Sequence, residues 1–318
     1  MATKVVRKFN YYRFFIFIVI LLTVIIGPIV LINKAKHKKT YDYKLSIMGY
    51  NEEEIKVIKS KLNNKQIDKL LDESYSEDVI NFLKEKYYIY DNLDKYLAYK
   101  KENKYDTYEL VVAIINTEAN VDWMEEEKET DTSKGNLMLV NRLYGLNPEY
   151  EVEDIVKVPS KYAYNGVKVS ESIMDSITRM IDDAKEAGYT FVLSDGYRSY
   201  KEQESIYNKY KNSYGIKEAD QNVARPGHSE YETGLSFNIV PYNKVYQEPK
   251  ESNEYNWLSE NAYKYGFIFR FPEDKTKLTG FDAFTWRLRY VGEDAANTIK
   301  SEGICFEEYY AYFVNGGK

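Results

Sequence analysis

The sequence predicts an α+β domain that follows a helical region and one N-terminal transmembrane helix. An uncharged apolar run extends from Phe14 to Ile32. Apolar residues then recur at helical spacing up to about Asn116, and after Asn136 helical patterns alternate with short strand-like segments. The 318-residue chain is therefore divided into a short tail with its anchor (1–40), a helical region or spacer (41–125) and the α+β domain (126–318).

The run from Phe14 to Ile32 is long enough to cross the hydrocarbon core of a bilayer as a helix. It ends in large apolar residues and a basic cluster, whereas a cleaved signal peptide has a shorter apolar stretch that ends in small residues. Basic residues flank both ends, so flanking charge alone does not fix the orientation. We expect a retained single-pass anchor in the cell membrane with the C-terminal domain extracellular, because long domains translocate largely regardless of flanking charge.

The segment between Lys44 and Asn116 has the apolar spacing of short amphipathic helices. Ile55, Ile58 and Leu62 follow this spacing, and Ser76 is a candidate N-cap for a later helix. A spacer or a cap on the main domain is the favoured interpretation, and a separate binding module is the alternative. The charged stretch EEEKETDTSKG that follows is typical of a solvated connection.

The α+β region contains helices with clear start and stop signals. Ser170 can cap a helix that stops at Gly188. Ser199 and Glu202 form a capping box for a second helix, which ends near Gly215. Strands are predicted for four segments: YTFVLS, GLSFNIV, FIFRF and WRLRYV.

Bulk composition excludes several classes of function. The net charge of -6 argues against a nucleic-acid partner. Cys305 is the only cysteine, so no disulfide forms within the chain, and His37 and His228 are the only histidines. The sequence therefore has too few His and Cys side chains to make a zinc site built from these two residue types plausible. No Asp-rich loop with a turn glycine suggests a calcium site of the EF-hand kind.

Four segments carry a family resemblance. They are, in order, SDGYRSYKEQ, ARPGHSEYETGLSFNI, NEYNWLSENAYKYGFIFRFP and TGFDAFTWRLRYVG. In content, order and spacing they are similar to the zinc D,D-carboxypeptidases of the VanY type, over about Asn136 to Phe313. The resemblance implies a VanY-like carboxypeptidase domain with a small antiparallel sheet flanked by helices.

The chain departs from the family at the positions that carry the chemistry. The family pattern S-E-H-x-T-G-x-x-x-D supplies a His and an Asp to zinc, and E-P-W-H-x-R-Y supplies the general base and a third ligand. Here Tyr231, Asn238 and Arg287 stand at the three ligand positions and Phe284 at that of the Glu. None of these side chains replaces a zinc ligand or a proton-shuttling carboxylate. The resemblance thus implies a degenerate member without zinc. We expect His228 to be a solvated loop residue that does not rescue the metal.

Other residues match positions with which the family lines its cleft and holds the peptide: Arg198, Ser199, Gln203, Ser229 and Trp286. Arg198 is the main candidate for binding a carboxylate or a carbonyl oxygen, and a structural role is the alternative. Packing is the alternative for Gln203 and the favoured role for Trp286. Arg287 adds a positive charge to the emptied site, which predicts an anion site unless Arg287 pairs with Asp282 or Glu230.

The sequence thus predicts a catalytically inactive D-alanyl-D-alanine carboxypeptidase-like protein of the bacterial cell envelope. Its predicted partner is a peptidoglycan stem peptide or a cell-wall enzyme, with no cofactor and no nucleic acid. Two alternatives stay open. The first is an active metal-dependent D,D-carboxypeptidase that trims peptidoglycan peptides. The second is a scaffold that binds no ligand, which ion pairs within the protein at Arg198 and Arg287 would favour.

Overall fold

A computed structural model describes residues 11–121, 126–242 and 252–316. Within the first helix, the side chains of residues 27–35 and of a few earlier positions fall outside this description. The chain divides into two compact units, Met1–Leu93 and Asp94–Lys318. The unit boundary therefore lies inside the helical region that the sequence predicts over 41–125.

The first unit is helical, and polar residues start several of its helices. Its α-helices are α1 (Tyr11–His37), α2 (Tyr41–Met48), α3 (Glu52–Lys61), α4 (Asn64–Leu70) and α5 (Glu77–Lys84). Asn51 and Asn63 form capping boxes at the starts of α3 and α4. Ser76 occupies the N-cap position of α5, although its side chain makes no capping hydrogen bond. Ile55 and Ile58 are buried, as their spacing predicts.

The proposed membrane span, Phe14 to Ile32, lies within α1, and many of its side chains are outside the described residues. Among the residues that are described, no helix combines the length and the apolar character needed to cross a bilayer. The span stays a prediction from the sequence.

The second unit is a mixed α+β domain. Its helices are α6 (Leu93–Glu102), α7 (Tyr108–Asn116), α8 (Met174–Glu186), α9 (Tyr200–Tyr214), α10 (Ile216–Asn222), α11 (Asn253–Asn261), α12 (Thr276–Thr279), α13 (Glu293–Glu302) and α14 (Phe306–Tyr309). Its strands are β1 (Lys128–Glu129), β2 (Tyr144–Gly145), β3 (Ile155–Lys157), β4 (Lys168–Ser170), β5 (Phe191–Asp195), β6 (Ser236–Pro241), β7 (Phe267–Phe271) and β8 (Phe284–Tyr290).

The main sheet has four antiparallel strands in the order β5-β6-β8-β7. Phe237, Phe267 and Leu288 are completely buried in one large apolar core, together with Ile177 of α8. The cap at Ser170, the capping box at Ser199 and the four predicted strands are all confirmed. Beyond the large sheet, β1 pairs with β2 and β3 pairs with β4.

Helices α6 and α7 belong to the second unit. Ala113 and Ile114 of α7 pack with Leu278 of α12 and with Cys305. Lys277 also forms an ion pair with Asp106, with 2.7 Å between nitrogen and oxygen. The charged stretch after α7 is largely exposed from residue 126 onward, as predicted, although it contributes β1 to a parallel pair of strands.

Candidate functional site

Three elements bring together the residues that the resemblance places at the zinc-ligand positions. Tyr231 lies on a 3-10 helix, Glu230–Thr233, while Asn238 lies on β6 and Arg287 on β8. The register of β6 against β8 places Asn238 directly opposite Arg287. Arg287 Nε donates to Asn238 Oδ1 at 3.3 Å, and its Nη2 donates to the Tyr231 hydroxyl at 2.9 Å. The three side chains therefore form one connected group.

Aromatic rings surround the Arg287 guanidinium. Its central carbon lies 4.3 Å from the ring centre of Tyr231, 4.8 Å from that of Phe284 and 5.5 Å from that of Phe271. Rings at these distances attract a cation through their negative faces. Phe284, which the resemblance places at the position of the general base, is 42% exposed. Arg287 is therefore held in place by aromatic rings and neutral oxygens.

Arg198 is carried by the turn that follows β5. A side chain at Gly196 would place its first carbon 2.3 Å from the Lys168 carbonyl oxygen, so the close approach of this turn to β4 requires glycine. The N–H of Tyr197 donates to the same carbonyl at 2.7 Å. These contacts fix the turn that presents Arg198.

The Arg198 side chain is engaged by its own neighbours. Its Nη2 forms a short ion pair with Asp195, and its Nη1 donates to Gln203 Oε1 at 3.3 Å. The Gln203 amide in turn donates to the carbonyl of Ala224 at 2.7 Å. The Arg198 guanidinium carbon also lies 4.3 Å from the Tyr231 ring centre. Arg198 and Arg287 thus contact the same aromatic ring.

A cavity of about 280 Å³ opens beside these groups. Four of the predicted ligand-binding residues line it, with Tyr231: Arg198, Gln203, Ser229 and Arg287. Val223 of the α10 end and Phe281 close other sides. A larger groove of about 600 Å³ lies along β7, and none of the predicted site residues lines it.

Two other candidates have local structural roles. Ser199 caps α9, where its hydroxyl accepts from the N–H of Glu202 at 3.3 Å. Trp286 packs against the main core and contacts the Tyr255 ring edge-on, with the two ring centres 6.0 Å apart. Neither residue is among those that line the cavity. Trp286 neighbours Arg287 in β8, and successive strand residues point to opposite faces.

Comparisons with known proteins assign the family. The family model described as VanY: D-alanyl-D-alanine carboxypeptidase matches residues 166–293. A D-alanyl-D-alanine carboxypeptidase of Enterococcus faecalis is 33% identical over 192 residues, which cover 58% of this chain and 68% of that protein. The chain belongs to the VanY family. The D-alanyl-D-alanine carboxypeptidase of Enterococcus faecium is 34% identical, over 58% of this chain and 60% of that relative, which is less than two thirds of its length.

A solved structure supports the same VanY-like fold. The LdcB LD-carboxypeptidase, whose structure was described for peptidoglycan recognition, superposes with a TM-score of 0.55 and 32% identity. The match covers 58% of this chain and 89% of that structure. The mixed helices and small sheets of the second unit are therefore those of a VanY-like domain.

The zinc ion implied by VanY-family membership does not fit the side chains at its three positions. A guanidinium carries a permanent positive charge and has no acceptor atom for a metal. Its N–H groups point at Tyr231 and Asn238 and occupy the oxygens with which these residues would face a metal. In the described ranges, no group of three His, Cys, Asp or Glu residues could hold a metal ion.

A buried ionic network lies behind the cavity of this VanY-like domain. Glu230, next to Tyr231 in sequence, forms ion pairs with Arg270 and Arg289, and Arg270 also pairs with Glu307. Burial would raise the pKa of Glu230, but Arg289 and Arg270 outweigh it and hold this pKa below its usual value. Glu230 is thus committed to two other arginines.

The alternative in which Arg287 pairs with Asp282 or Glu230 is therefore not what the structure has. Within the described part of the chain, Arg287 forms no ion pair with a carboxylate. Arg198 does form an ion pair, with Asp195. No pattern in the sequence indicates a role for Asp195, although it lies only three residues before Arg198 in the segment that carries the resemblance.

The prediction that His228 is solvated is wrong. His228 is only 6% exposed and lines the cavity. Its Nδ1 lies 2.8 Å from the carbonyl oxygen of Asn141, and its Nε2 lies 3.1 Å from a carboxylate oxygen of Glu127. Both ring nitrogens therefore have partners in the loop packing, which explains the burial.

Glu232 is a buried carboxyl on the 3-10 helix that carries Tyr231. Its oxygens accept hydrogen bonds from the main-chain N–H groups of Gly227 and Ser229, at 2.9 to 3.1 Å. Burial raises the pKa of Glu232 to about 7, against the opposing effects of these N–H groups and of Arg198. Burial likewise raises the pKa of Tyr231, with Arg287 and Arg198 opposing it, so Tyr231 keeps its hydroxyl proton at neutral pH.

Proposed function

We propose that this VanY-family chain is a catalytically silent receptor that binds the free carboxylate end of a peptidoglycan stem peptide. The main support for the proposal is the environment of Arg287. It stands where the family has a zinc ligand, it faces a cavity, and among the described residues it has no carboxylate partner. An unneutralised guanidinium in a half-buried cavity attracts a carboxylate, to which it can donate two parallel hydrogen bonds.

The side chains at the catalytic positions support the proposed lack of catalytic activity. A zinc peptidase lowers the pKa of a metal-bound water and moves a proton through a carboxylate. Phe284 has no exchangeable proton, and Tyr231 and Asn238 already accept hydrogen bonds from Arg287. The group at this site that can act on a ligand is therefore the Arg287 guanidinium. This fixed cation can bind a ligand but cannot activate water.

The cavity can supply more than charge. The Tyr231 hydroxyl accepts from Arg287 and keeps its own proton, so it can donate to a second ligand oxygen. Ser229 and Gln203 add polar walls. At about 280 Å³ the cavity is slightly below the roughly 300–1,000 Å³ of sites that enclose a whole small ligand, which suits the end of a peptide.

The relatives supply the ligand class. The Enterococcus proteins are named D-alanyl-D-alanine carboxypeptidases, and the LdcB structure was described for peptidoglycan recognition. Their substrates end in a free carboxylate, the group that Arg287 is suited to hold. The apolar run from Phe14 to Ile32 supports a tether in the cell membrane, with the VanY-like domain on its outer face.

Calorimetry with the purified full chain tests the proposal. The probes are a pentapeptide that ends in D-Ala-D-Ala and the same peptide with a C-terminal amide. We expect the acid to bind at least about tenfold more tightly than the amide, because a charged hydrogen-bonded contact contributes roughly 1.5–3 kcal/mol. Arg287→Gln should remove this preference, whereas Arg179→Gln, a change at an exposed arginine on α8, should keep it.

The same preparation separates the alternatives. Bound zinc in equimolar amount together with release of D-alanine would establish an active D,D-carboxypeptidase and overturn the silent receptor. No binding of either peptide, with no release of D-alanine, would leave the scaffold, for which the Arg198–Asp195 ion pair is the supporting observation.

A further inference from the structure

Two guanidinium groups contact the ring of Tyr231, but their surroundings differ. The central carbons of Arg198 and Arg287 lie at the same distance, 4.3 Å, from the ring centre. Both residues line the cavity. Charge alone would make them equal partners for an incoming anion, so the difference has to come from what each already binds.

Arg198 has a carboxylate of its own. Asp195 Oδ2 forms the short ion pair with Nη2, while Asp195 Oδ1 accepts from the N–H of Gly196 at 2.9 Å. The register of β5 against β6 shifts between Leu193 and Asp195, and this shift sets Asp195 opposite Asn238. Asp195 is thus fixed at the cavity side of the sheet with both oxygens engaged.

Among the described residues, the ion pairs in and behind the cavity leave one guanidinium without a carboxylate partner. Arg198, Arg270, Arg287 and Arg289 are the guanidiniums in and behind the cavity, and Asp195, Glu230 and Glu307 are the carboxylates that pair with them. Every ion pair in this group involves Arg198, Arg270 or Arg289. Arg287 is therefore the guanidinium of this group that has no ion pair within the described part of the chain.

We infer that Asp195 determines the specificity of the cavity: it withholds Arg198 as an internal counter-ion, so that the site takes ligands through a single carboxylate at Arg287. The inference rests on the proposed carboxylate-binding function and names the class of ligand, a monoanionic carboxylate. A second carboxylate on the ligand would have to displace Asp195 from Arg198, and it would meet the negative charge of Asp195.

Succinate and succinamate are matched probes, because they have nearly the same shape but carry two carboxylates and one. In the full chain labelled with ¹⁵N, we expect succinamate to shift the Nε–H resonance of Arg287 and leave that of Arg198 in place. Succinate should bind no more than about threefold more tightly than succinamate, close to the statistical factor for two equal ends. The two resonances are assigned with Arg198→Lys and Arg287→Lys.

Asp195→Asn supplies the sharper test. Removing the counter-ion frees Arg198, so succinate should gain about tenfold in affinity while succinamate changes by less than about threefold. A loss of stability cannot produce this gain for one probe alone. The matched control is Asp175→Asn, which removes an exposed carboxylate paired with Arg179 on α8, outside the cavity. It should leave both affinities as they are.

The results separate this inference from the proposed function. If the wild type prefers succinate by tenfold or more, or if succinamate shifts the Arg198 resonance, Asp195 does not withhold Arg198 and the inference fails even where the pentapeptide binds. If succinamate shifts Arg287 but the pentapeptide does not bind, the stem-peptide function fails and the role of Asp195 stands. A wild type that binds neither small probe overturns the inference outright.

Discussion

At the scale of single residues, the environment of Arg287 determines the charge of the cavity. A guanidinium carries a permanent positive charge. Its two hydrogen-bond acceptors, Asn238 and the Tyr231 hydroxyl, are both neutral. Because the local dielectric is lower than that of water, a charge held this way keeps more of its attraction for an anion than it would on the surface.

Glu232, one residue after Tyr231, makes the stability of the fold depend on pH. Its pKa rises from 4.5 to about 7 on folding. Between these two pH values the folded chain holds a proton that the unfolded chain has released. The contribution of Glu232 to stability is therefore fully present below pH 4.5 and is lost as the pH rises through 7. Between pH 5 and 8 we expect the free energy of unfolding of the wild type to fall relative to that of Glu232→Gln, by up to roughly 3 kcal/mol.

Urea unfolding of both proteins at the two pH values measures this difference. Glu204→Gln, a change at an exposed position on α9, is the control and should follow the wild type. Parallel pH dependences for the wild type and Glu232→Gln would show that the carboxyl of Glu232 titrates normally in the folded chain.

At the scale of elements, strand register brings the site together. The pairing of β6 with β8 sets Asn238 against Arg287, and the 3-10 helix before β6 adds Tyr231. Such elements form from local patterns and from the main-chain hydrogen bonds of the sheet. The register and the 3-10 helix therefore keep Tyr231, Asn238 and Arg287 in contact.

Features that depend on neighbouring residues could be predicted from the sequence, and contacts between distant elements could not. The capping box at Ser199 and the strand FIFRF follow from neighbouring residues, and the sequence alone located both. The partners of Glu230 lie 40 and 59 residues away, so no local pattern indicates them. That Arg198 and Arg287 lie close to Tyr231 could be predicted only through the family resemblance, because these contacts depend on how separate elements pack.

Restoring the family residues tests whether these elements keep the geometry of a zinc site. We expect the combined change Tyr231→His, Asn238→Asp and Arg287→His to bind about one zinc ion per chain, because the three positions are in contact and these residues are zinc ligands. Metal analysis after dialysis measures the content. Asn238→Asp with Arg287→His alone offers two ligands and should retain less. A folded triple variant without zinc would argue against the shared geometry.

At the scale of the whole molecule, the compact unit is larger than the matched family region. The family match begins at residue 166, but the second unit begins at Asp94. The contact of α7 with Leu278 and Cys305 explains why, since these apolar side chains are buried together. Helices α6 and α7 are thus part of this folded domain.

Truncation tests this boundary. We expect a fragment that starts at Asp94 to unfold cooperatively in urea. A fragment that starts at Glu126 keeps β1 but lacks α6 and α7. It should be less stable by several kcal/mol, since each large apolar side chain removed from the core takes roughly 1.5–3 kcal/mol with it. Circular dichroism during urea titration of the two fragments measures the difference. Equal midpoints would show that α6 and α7 contribute nothing to the stability of the domain.

The burial of Cys305 gives the chain a built-in chemical reporter. It is the only cysteine in the sequence, it is 2% exposed, and burial raises its pKa well above the usual range. A thiol reagent needs both access and a thiolate, and the packed state provides neither. The labelling rate therefore measures how often the packing around α7 opens. Openings that are too rare to detect by equilibrium unfolding can be measured in this way without an introduced probe.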